Sequence, residues 1–430
     1  MPNINTDIIP EKPQPKVYSS LTIMGAILAP FSYFNLPISG GETKPLMALA
    51  WFPLFILLIF KTLANHRVNI LTICFSLLIL VGVFWFPIIL FKGDMISYIT
   101  TLMAFTAGVT IAVTASNIKD PKLLNKFLSV FLITFNIIFL YGIIFQTKVL
   151  FNIPFLNEVD LIIRKMFLTR ANVVGRVTLF ASEPSFAAYQ ITSTILIAIL
   201  HKAMINKMNY IATIVLGIIC LIFTFSITSV LMLGLIATLI LFQFISLNNK
   251  MKIFLIIGLI VCISLFWGHV LKQPFMTSII NRVKNIKKDP SSVTRYVLAA
   301  STWNAGIKTI FIGLGPGQYA INWDNYISDR AEVINYTTPN FKSLICSDRK
   351  IKPYSLIGGI LADFGGIGLI LLFTIVLSIL IKVSIPKNFN QFKLYIALLV
   401  VLISFNGAYP VSLPNMWLLF GLIYRKVFYI

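Results

Sequence analysis

The stretch ILTICFSLLILVGVFWFPIIL, residues 70–90, sets the terms for the whole chain, because runs like it recur with only short, often Lys-bearing breaks between them. An α-helix rises about 1.5 Å per residue, so roughly twenty apolar residues cross a bilayer's hydrocarbon core of about 30 Å. Composition closes off the soluble alternative: 58% of residues are hydrophobic, 11% are charged, and mean hydropathy is +0.89. A water-soluble domain would have almost no charge to cover its surface. The chain therefore reads as an all-α integral membrane protein.

The apolar runs predict about twelve spans, at 17–39, 46–61, 69–91, 95–116, 127–150, 181–203, 209–227, 229–248, 253–271, 356–381, 393–407 and 414–429. Between the last two, NGAYPVSLPN reads as a tight hairpin or a re-entrant break. Lys and Arg then alternate between the two sides. One side collects, among others, Lys61, Lys119, Lys202, Lys250, Lys382 and Arg425, whereas the short loops opposite hold only Lys44 and Lys92, each near an acid. By the positive-inside rule the first side is cytoplasmic, and both termini lie there. The order is an N-terminal cytoplasmic segment (1–16), five spans (17–150), an outer loop (151–180), four spans (181–271), a large outer loop (272–355) and three closing spans (356–430). The N-terminus lacks the order of a signal peptide, so the first apolar run is expected to stay as a span.

The net charge of +21 does not point to nucleic acid here. Loop charge serves membrane orientation first, and the rest concentrates in the two longer outer loops. Arg164, Lys165, Arg170 and Arg176 lie in the first, and 12 Lys and Arg in the second. Long outer segments escape the charge rule, and a basic surface beside the bilayer is where an anionic, lipid-attached head group would dock. The 4 cysteines form no pairing or metal pattern, and the 3 histidines form neither a metal constellation nor a Ser–His arrangement.

Of 14 acids, only Glu183 and Asp363 fall inside the expected spans, both near the outer end of their helix. Ionisable groups at membrane depth cost several kcal/mol, roughly, unless paired or hydrated, which makes each a candidate functional group. Glu183, in ASEPSFAA, also fits a helix start: Ser182 reads as the N-cap, with Glu and Pro in the first turn. Capping and catalysis stay open together. Asp363, in GGILADFGGIG, lies too deep for a cap and is expected to pair with a loop arginine. In the large loop, residues 292–308 read as a helix carrying Arg295. Gly313, Gly315 and Gly317 follow in GLGPGQY, which closes on Tyr319. Alternate glycines can expose amides to a phosphate or sugar; they can equally form the turn of a helical hairpin. The stretch lacks the strand and partners of a nucleotide-binding loop.

Taken in order, SEPSFAA, the large loop with Arg295, Trp303 and GLGPGQY, and the downstream SLIGGILADFGGIG resemble the O-antigen polymerase and ligase superfamily. SEPSFAA resembles its polymerase branch. The resemblance covers most of the chain in architecture and these three stretches in motif. It implies a multi-pass enzyme of the bacterial inner membrane that, without cofactor or metal, moves a glycan from a polyprenyl-pyrophosphate carrier to a sugar hydroxyl at the periplasmic face. Its partners would be the lipid-linked glycan, the bilayer and a chain-length regulator. Ligases of the family carry an essential His near the start of the helix after the loop; here Tyr354 and Ser355 stand there, a departure that favours polymerase.

Residue chemistry fits such a transfer. A pyrophosphate leaving group needs fixed cations, and Arg295, then Arg176 and Arg170, are the candidates. A sugar hydroxyl profits from a general base, Glu183, with Asp363 as alternative or orienting partner. Arg164, the three glycines and Tyr319 complete the expected binding surface. A lipid-linked-oligosaccharide flippase and a non-enzymatic membrane component remain as rivals. The first is disfavoured by the absence of matching halves; the second would leave Glu183 and Arg295 replaceable.

Overall fold

The computed structural model describes residues 16–31, 46–65, 69–151, 154–167, 176–181, 183–224, 226–245, 290–327, 351–383, 389–407 and 414–429. Among them every regular element is helical. In chain order they are α1 (Lys16–Leu28), α2 (Leu46–Asn65), α3 (Ile70–Phe84), α4 (Phe86–Lys92), α5 (Met95–Ser116), α6 (Pro121–Phe151), α7 (Pro154–Phe167), α8 (Pro184–Leu200), α9 (Lys207–Phe223), α10 (Ile227–Ile245), α11 (Pro290–Lys308), the single turn α12 (Tyr319–Asn322), α13 (Leu356–Val383), α14 (Phe389–Gly407) and α15 (Pro414–Phe428).

The starts of these helices follow from residue chemistry. α6, α7, α8, α11 and α15 each begin at a proline, whose missing N–H costs nothing in the first turn. At α3 and α5, Asn69 and Asp94 cap instead: Asn69 Oδ1 accepts from the Leu71 amide at 3.0 Å, and Asp94 Oδ1 from the Ile96 amide at 3.0 Å.

Among the described residues, five stretches are long and apolar enough to cross a bilayer: Ile70–Lys92, Met95–Ser116, Pro121–Gln146, Leu356–Val383 and Phe389–Gly407. Shorter apolar helices stand at Lys16–Leu28, Leu46–Phe60, Pro184–Leu200, Lys207–Phe223 and Thr228–Ile240. The surface agrees with lipid. On α6, Ile133, Ile137, Leu140 and Ile144 are exposed at helical spacing, a stripe that water would penalise. The protein is a multi-pass membrane protein. A helix stands within each expected span except 253–271, which lies outside the described residues, as does 32–39 of the first span. The differences are local. The span at 69–91 breaks at Trp85 into α3 and α4, where Pro87 enters the first turn of α4. The segment 151–180, expected as an outer loop, holds a helix the span pattern missed, α7, held to α6 by the Tyr141 hydroxyl on Asp160 Oδ1 at 2.8 Å.

The bundle centre is aromatic and tight. Trp417 of α15 meets Phe405 at 4.8 Å, Phe75 at 5.6 Å and Phe105 at 6.0 Å between ring centroids, and Phe105 meets Phe364 at 5.4 Å. With lipid as the competing solvent, close packing of small residues replaces the hydrophobic effect as the force between helices. Gly421 shows it: a Cβ there would lie 2.3 Å from the Ala112 carbonyl oxygen.

The two ends of the bundle gather different residues. At one, Arg425 donates to the Ile118 carbonyl and Lys426 to that of Leu200, with Lys119, Lys202 and Lys393 close by in sequence or space. The other end gathers the starts of α5, α8 and α13.

Candidate functional site

Glu183 is the N-cap residue of α8, with extended backbone (φ −140°, ψ 151°) and Pro184 as the first helical residue. The helix thus starts one residue later than Ser182 as cap would place it; Ser182 itself lies outside the described residues. The Glu183 side chain makes no capping hydrogen bond. It turns away instead, and Arg295 Nη2 donates to Oε2 at 2.8 Å across 112 residues of sequence. Ser185 Oγ donates to the same oxygen at 3.2 Å. The pair is open, with the side chains 38% exposed at Arg295 and 43% at Glu183.

Arg295 comes from the second turn of α11, whose later turns pack along α13. A Cβ on Gly306 would lie 2.6 Å from Leu361 Cγ, so only glycine permits this approach. The guanidinium also lies over the Tyr354 ring, 5.8 Å from Cζ to centroid, within cation–π range. Tyr354 is fixed by its amide on Thr302 Oγ1 at 3.4 Å. Ser355 caps α13, accepting from the Gly358 amide at 3.0 Å, and donates to Asn406 Oδ1 at 2.9 Å. That bond ties the end of α14 to the same place. Burial pushes the Tyr354 hydroxyl up to about 12; Arg295 acts against the shift, and Glu183 and Tyr189 add to it. The Tyr189 hydroxyl bonds the Thr228 side chain and lies 2.6 Å from where a Gly407 Cβ would be. Carboxylate, guanidinium and two phenols from α8, α11 and the approach to α13 thus converge.

The sequence had singled out Glu183 and Arg295 separately; the structure joins them. Tyr189 had no sequence signal, being one aromatic in an apolar run. Tyr354 was visible only as the residue where a ligase would carry His.

Asp363 lies elsewhere. It is 3% exposed, and its carboxylate accepts from the Gly317 amide. Its Oδ1 has no hydrogen-bond partner and, among the described residues, the group has no ion pair; several loop arginines that could pair with it lie outside those residues. With Thr101, Phe105, Gly359, Ile360 and Phe364 it lines a cavity of about 10 Å³, room for roughly one water.

The glycine stretch is built in rather than open. Gly313 donates to the Thr309 carbonyl at 2.8 Å, Leu314 to Ala362 at 2.7 Å and Gly315 to Asp363 at 3.1 Å, so these amides are already engaged by protein. Gly317 has φ +76°, and a Cβ there would meet the Ser97 carbonyl oxygen at 2.2 Å. Tyr319 is fully buried, its hydroxyl on Ser301 Oγ at 3.1 Å. Of the basic residues, Arg164 lies on α7, Arg176 is half-buried ahead of α8, and Arg170 falls outside the described residues. Among the described residues no three His, Cys, Asp or Glu side chains cluster as metal ligands.

Residues 212–343 match the family model described as O-antigen ligase. The match, over less than a third of the chain, supports membership of the O-antigen polymerase and ligase superfamily. No curated protein gives a match. The matched segment holds Arg295 and the glycine turn, and leaves Glu183, Tyr354 and Asp363 outside it. The matched segment points to a glycan-transferase type of family.

Proposed function

We propose that this protein polymerises polyprenyl-pyrophosphate-linked oligosaccharide repeat units at the periplasmic face of the bacterial inner membrane, with Glu183 and Arg295 as the reacting pair. The observation that carries the reading is the 2.8 Å, half-open ion pair between them. A carboxylate and a guanidinium are the two groups that metal-independent transfer from a lipid pyrophosphate needs, and here they are held together within reach of the medium. The basic opposite end of the bundle would face the cytoplasm by the positive-inside rule, which puts the pair outside.

The arrangement yields a sequence of events. The donor's pyrophosphate, rich in oxygen acceptors, competes with Glu183 for Arg295, and a guanidinium binds such oxygens through paired N–H donors. The Tyr354 ring holds the guanidinium plane while its partner changes. Glu183, released, accepts the proton of the acceptor sugar hydroxyl as that oxygen attacks the anomeric carbon. The carbon–oxygen bond to the pyrophosphate breaks, and Arg295 stabilises the charge that develops there. A single displacement inverts the anomeric configuration. Arg164, Arg170 and Arg176 are proposed to extend the anion-binding surface, and a chain-length regulator is the proposed protein partner. Asp363 is proposed to hold the glycine turn, through the amide of Gly317, and to take no direct part in the transfer.

A ligase-type transferase is the second reading, favoured by the description of the matching family; Tyr354 in place of His speaks against it. The test is the glycan ladder in cells lacking this protein and complemented with Glu183→Gln at matched membrane expression. Collapse to a single repeat unit that still reaches its final acceptor supports polymerase. Loss of single repeats as well supports ligase or flippase, and an undiminished ladder removes Glu183 from the chemistry.

A further inference from the structure

The segment from α11 to Gln318 lies in what the hydropathy pattern reads as an external loop, yet its contacts run far down the bundle. Arg295 meets Glu183 and Tyr354 at the end of the bundle. Thr302 packs on Gly358, Gly306 on Leu361, and the Ile310 carbonyl accepts from the Gly366 amide. α11 therefore descends alongside α13, one turn against one turn. The fifteen steps from Arg295 to Ile310, helical as far as Lys308, span about 22 Å, and the ten steps of α13 from Leu356 to Gly366 span about 15 Å. α13 is long and apolar enough to cross the bilayer, and half of a hydrocarbon core is about 15 Å.

The chain then turns back. Gly313 to Pro316 climb between α3 and α13, with Gly315 against Trp85 and Pro316 near Gly82. Gln318 reaches the start of α5, where its side chain accepts from the Asp94 amide at 3.0 Å and donates to the Asp94 carbonyl at 3.1 Å. At the bottom of the hairpin the side chains are apolar and open: Ile307 is 61% exposed, Phe311 86% and Ile312 68%. Beside them on α13, Ile367 and Ile370 are exposed too. An apolar tip of this size in water would be a liability; its continuity with the lipid-facing stripe of α13 names its surroundings.

We infer that residues 290–318 form a re-entrant hairpin whose tip, Ile307 and Ile310 to Ile312, sits in the hydrocarbon of the bilayer. Non-helical backbone survives at that depth only where protein satisfies its polar groups. The glycine stretch meets that demand: the amides of Gly313, Leu314 and Gly315 are taken by carbonyls of Thr309, Ala362 and Asp363, and that of Gly317 by the Asp363 carboxylate. Gly365 completes the fit. Its φ of +69° breaks α13, and a Cβ there would lie 2.7 Å from the Ile312 carbonyl carbon. GLGPG and GGIG are thus the two faces of one joint inside the membrane. The hairpin delivers Arg295 to the membrane surface on a rigid arm, whatever reaction takes place there.

The test is depth, read in vesicles of phosphatidylethanolamine and phosphatidylglycerol holding the full chain, with the four cysteines replaced by alanine and one nitroxide-labelled cysteine introduced. Labels at Phe311 and at Ile367 are expected to relax with oxygen rather than a water-soluble nickel complex and to report similar depths, whereas one at Asp324 responds to nickel. A nickel response at Phe311 equal to that at Asp324 would overturn the hairpin. So would shielding of Phe311 from both agents, which would mean a protein contact. Should the cysteine-free background fail to fold, Phe311→Trp in the parent chain gives an independent reading. Brominated acyl chains then quench the added fluorescence if the tip is in lipid, and leave it unchanged if it is not.

Discussion

Two carboxylates stand towards the end of the bundle away from Arg425 and Lys426 and have opposite surroundings. Asp363 is sealed, without an ion pair among the described residues, and accepts an amide from the returning glycine strand. Glu183 is 43% exposed and tied to Arg295. Both are acids in apolar helical stretches, and on composition they were equivalent candidates. The difference lies in what each faces: backbone that has to be satisfied at membrane depth, or the medium from which a substrate arrives. One belongs to the joint; the other is the group proposed to react.

The joint breaks most completely at Gly317. Gly317→Val puts branched bulk where even a Cβ lies 2.2 Å from the Ser97 carbonyl oxygen and φ is +76°. Little or no monodisperse protein is expected in detergent gel filtration. Gly234→Ala, with nothing within 4 Å of its Cβ position, is expected to purify like the parent.

Next in size is the proposed reacting pair. Arg295→Ala should reduce glycan transfer by about 100-fold or more. The thermal midpoint should barely move, because an exposed ion pair is worth roughly 0–1 kcal/mol. Arg295→Lys keeps charge but not the planar fork, and is expected to recover only part of the rate. Parallel assays of transfer and unfolding decide it; equal loss of both would make the pair a structural clasp.

Asp363→Ala should show the reverse pattern: stability lower by about 1–3 kcal/mol, since the Gly317 amide loses its acceptor, with transfer per folded molecule near that of the parent. Asp363→Asn keeps an acceptor and should lose less. If Asp363→Ala melted normally yet transferred nothing, the contrast between the two acids would invert.

The smallest effect is expected at Tyr354. Its hydroxyl, held up to about 12 by burial against a usual 10.0, stays protonated at neutral pH. Tyr354→Phe should therefore leave the pH–rate profile unchanged below about pH 9, while loss of the ring in Tyr354→Leu costs a few-fold through Arg295. The unfolded chain loses this proton first, so the group's contribution to stability is complete below pH 10 and is lost as pH rises towards 12. Melting curves of Tyr354→Phe across that range should be flatter than those of the parent.

Much of the architecture was legible in the chain. The helices that start at 46, 95 and 356 begin where apolar runs do, because in lipid the length of an apolar run is itself the structural instruction. Prolines marked other starts, as at Pro184 and Pro414. Less legible was α7, whose polar and apolar faces average out in hydropathy. The site was half legible. Glu183 and Arg295 stood out one at a time, as an acid in a span and a base on a predicted helix, but 112 residues of sequence separate them and no periodicity reports such a contact.

What the sequence determined by itself was membership of the membrane: too much apolar length and too little charge for any other solvent. What only the tertiary structure decided was the use of its exceptions. GLGPG became backbone packed against a broken helix, Asp363 the acceptor of its last amide, and Glu183 the partner of Arg295. These outcomes depend on which polar group finds a partner across the bundle. In a membrane interior, where water cannot substitute for a missing partner, that search is settled in three dimensions.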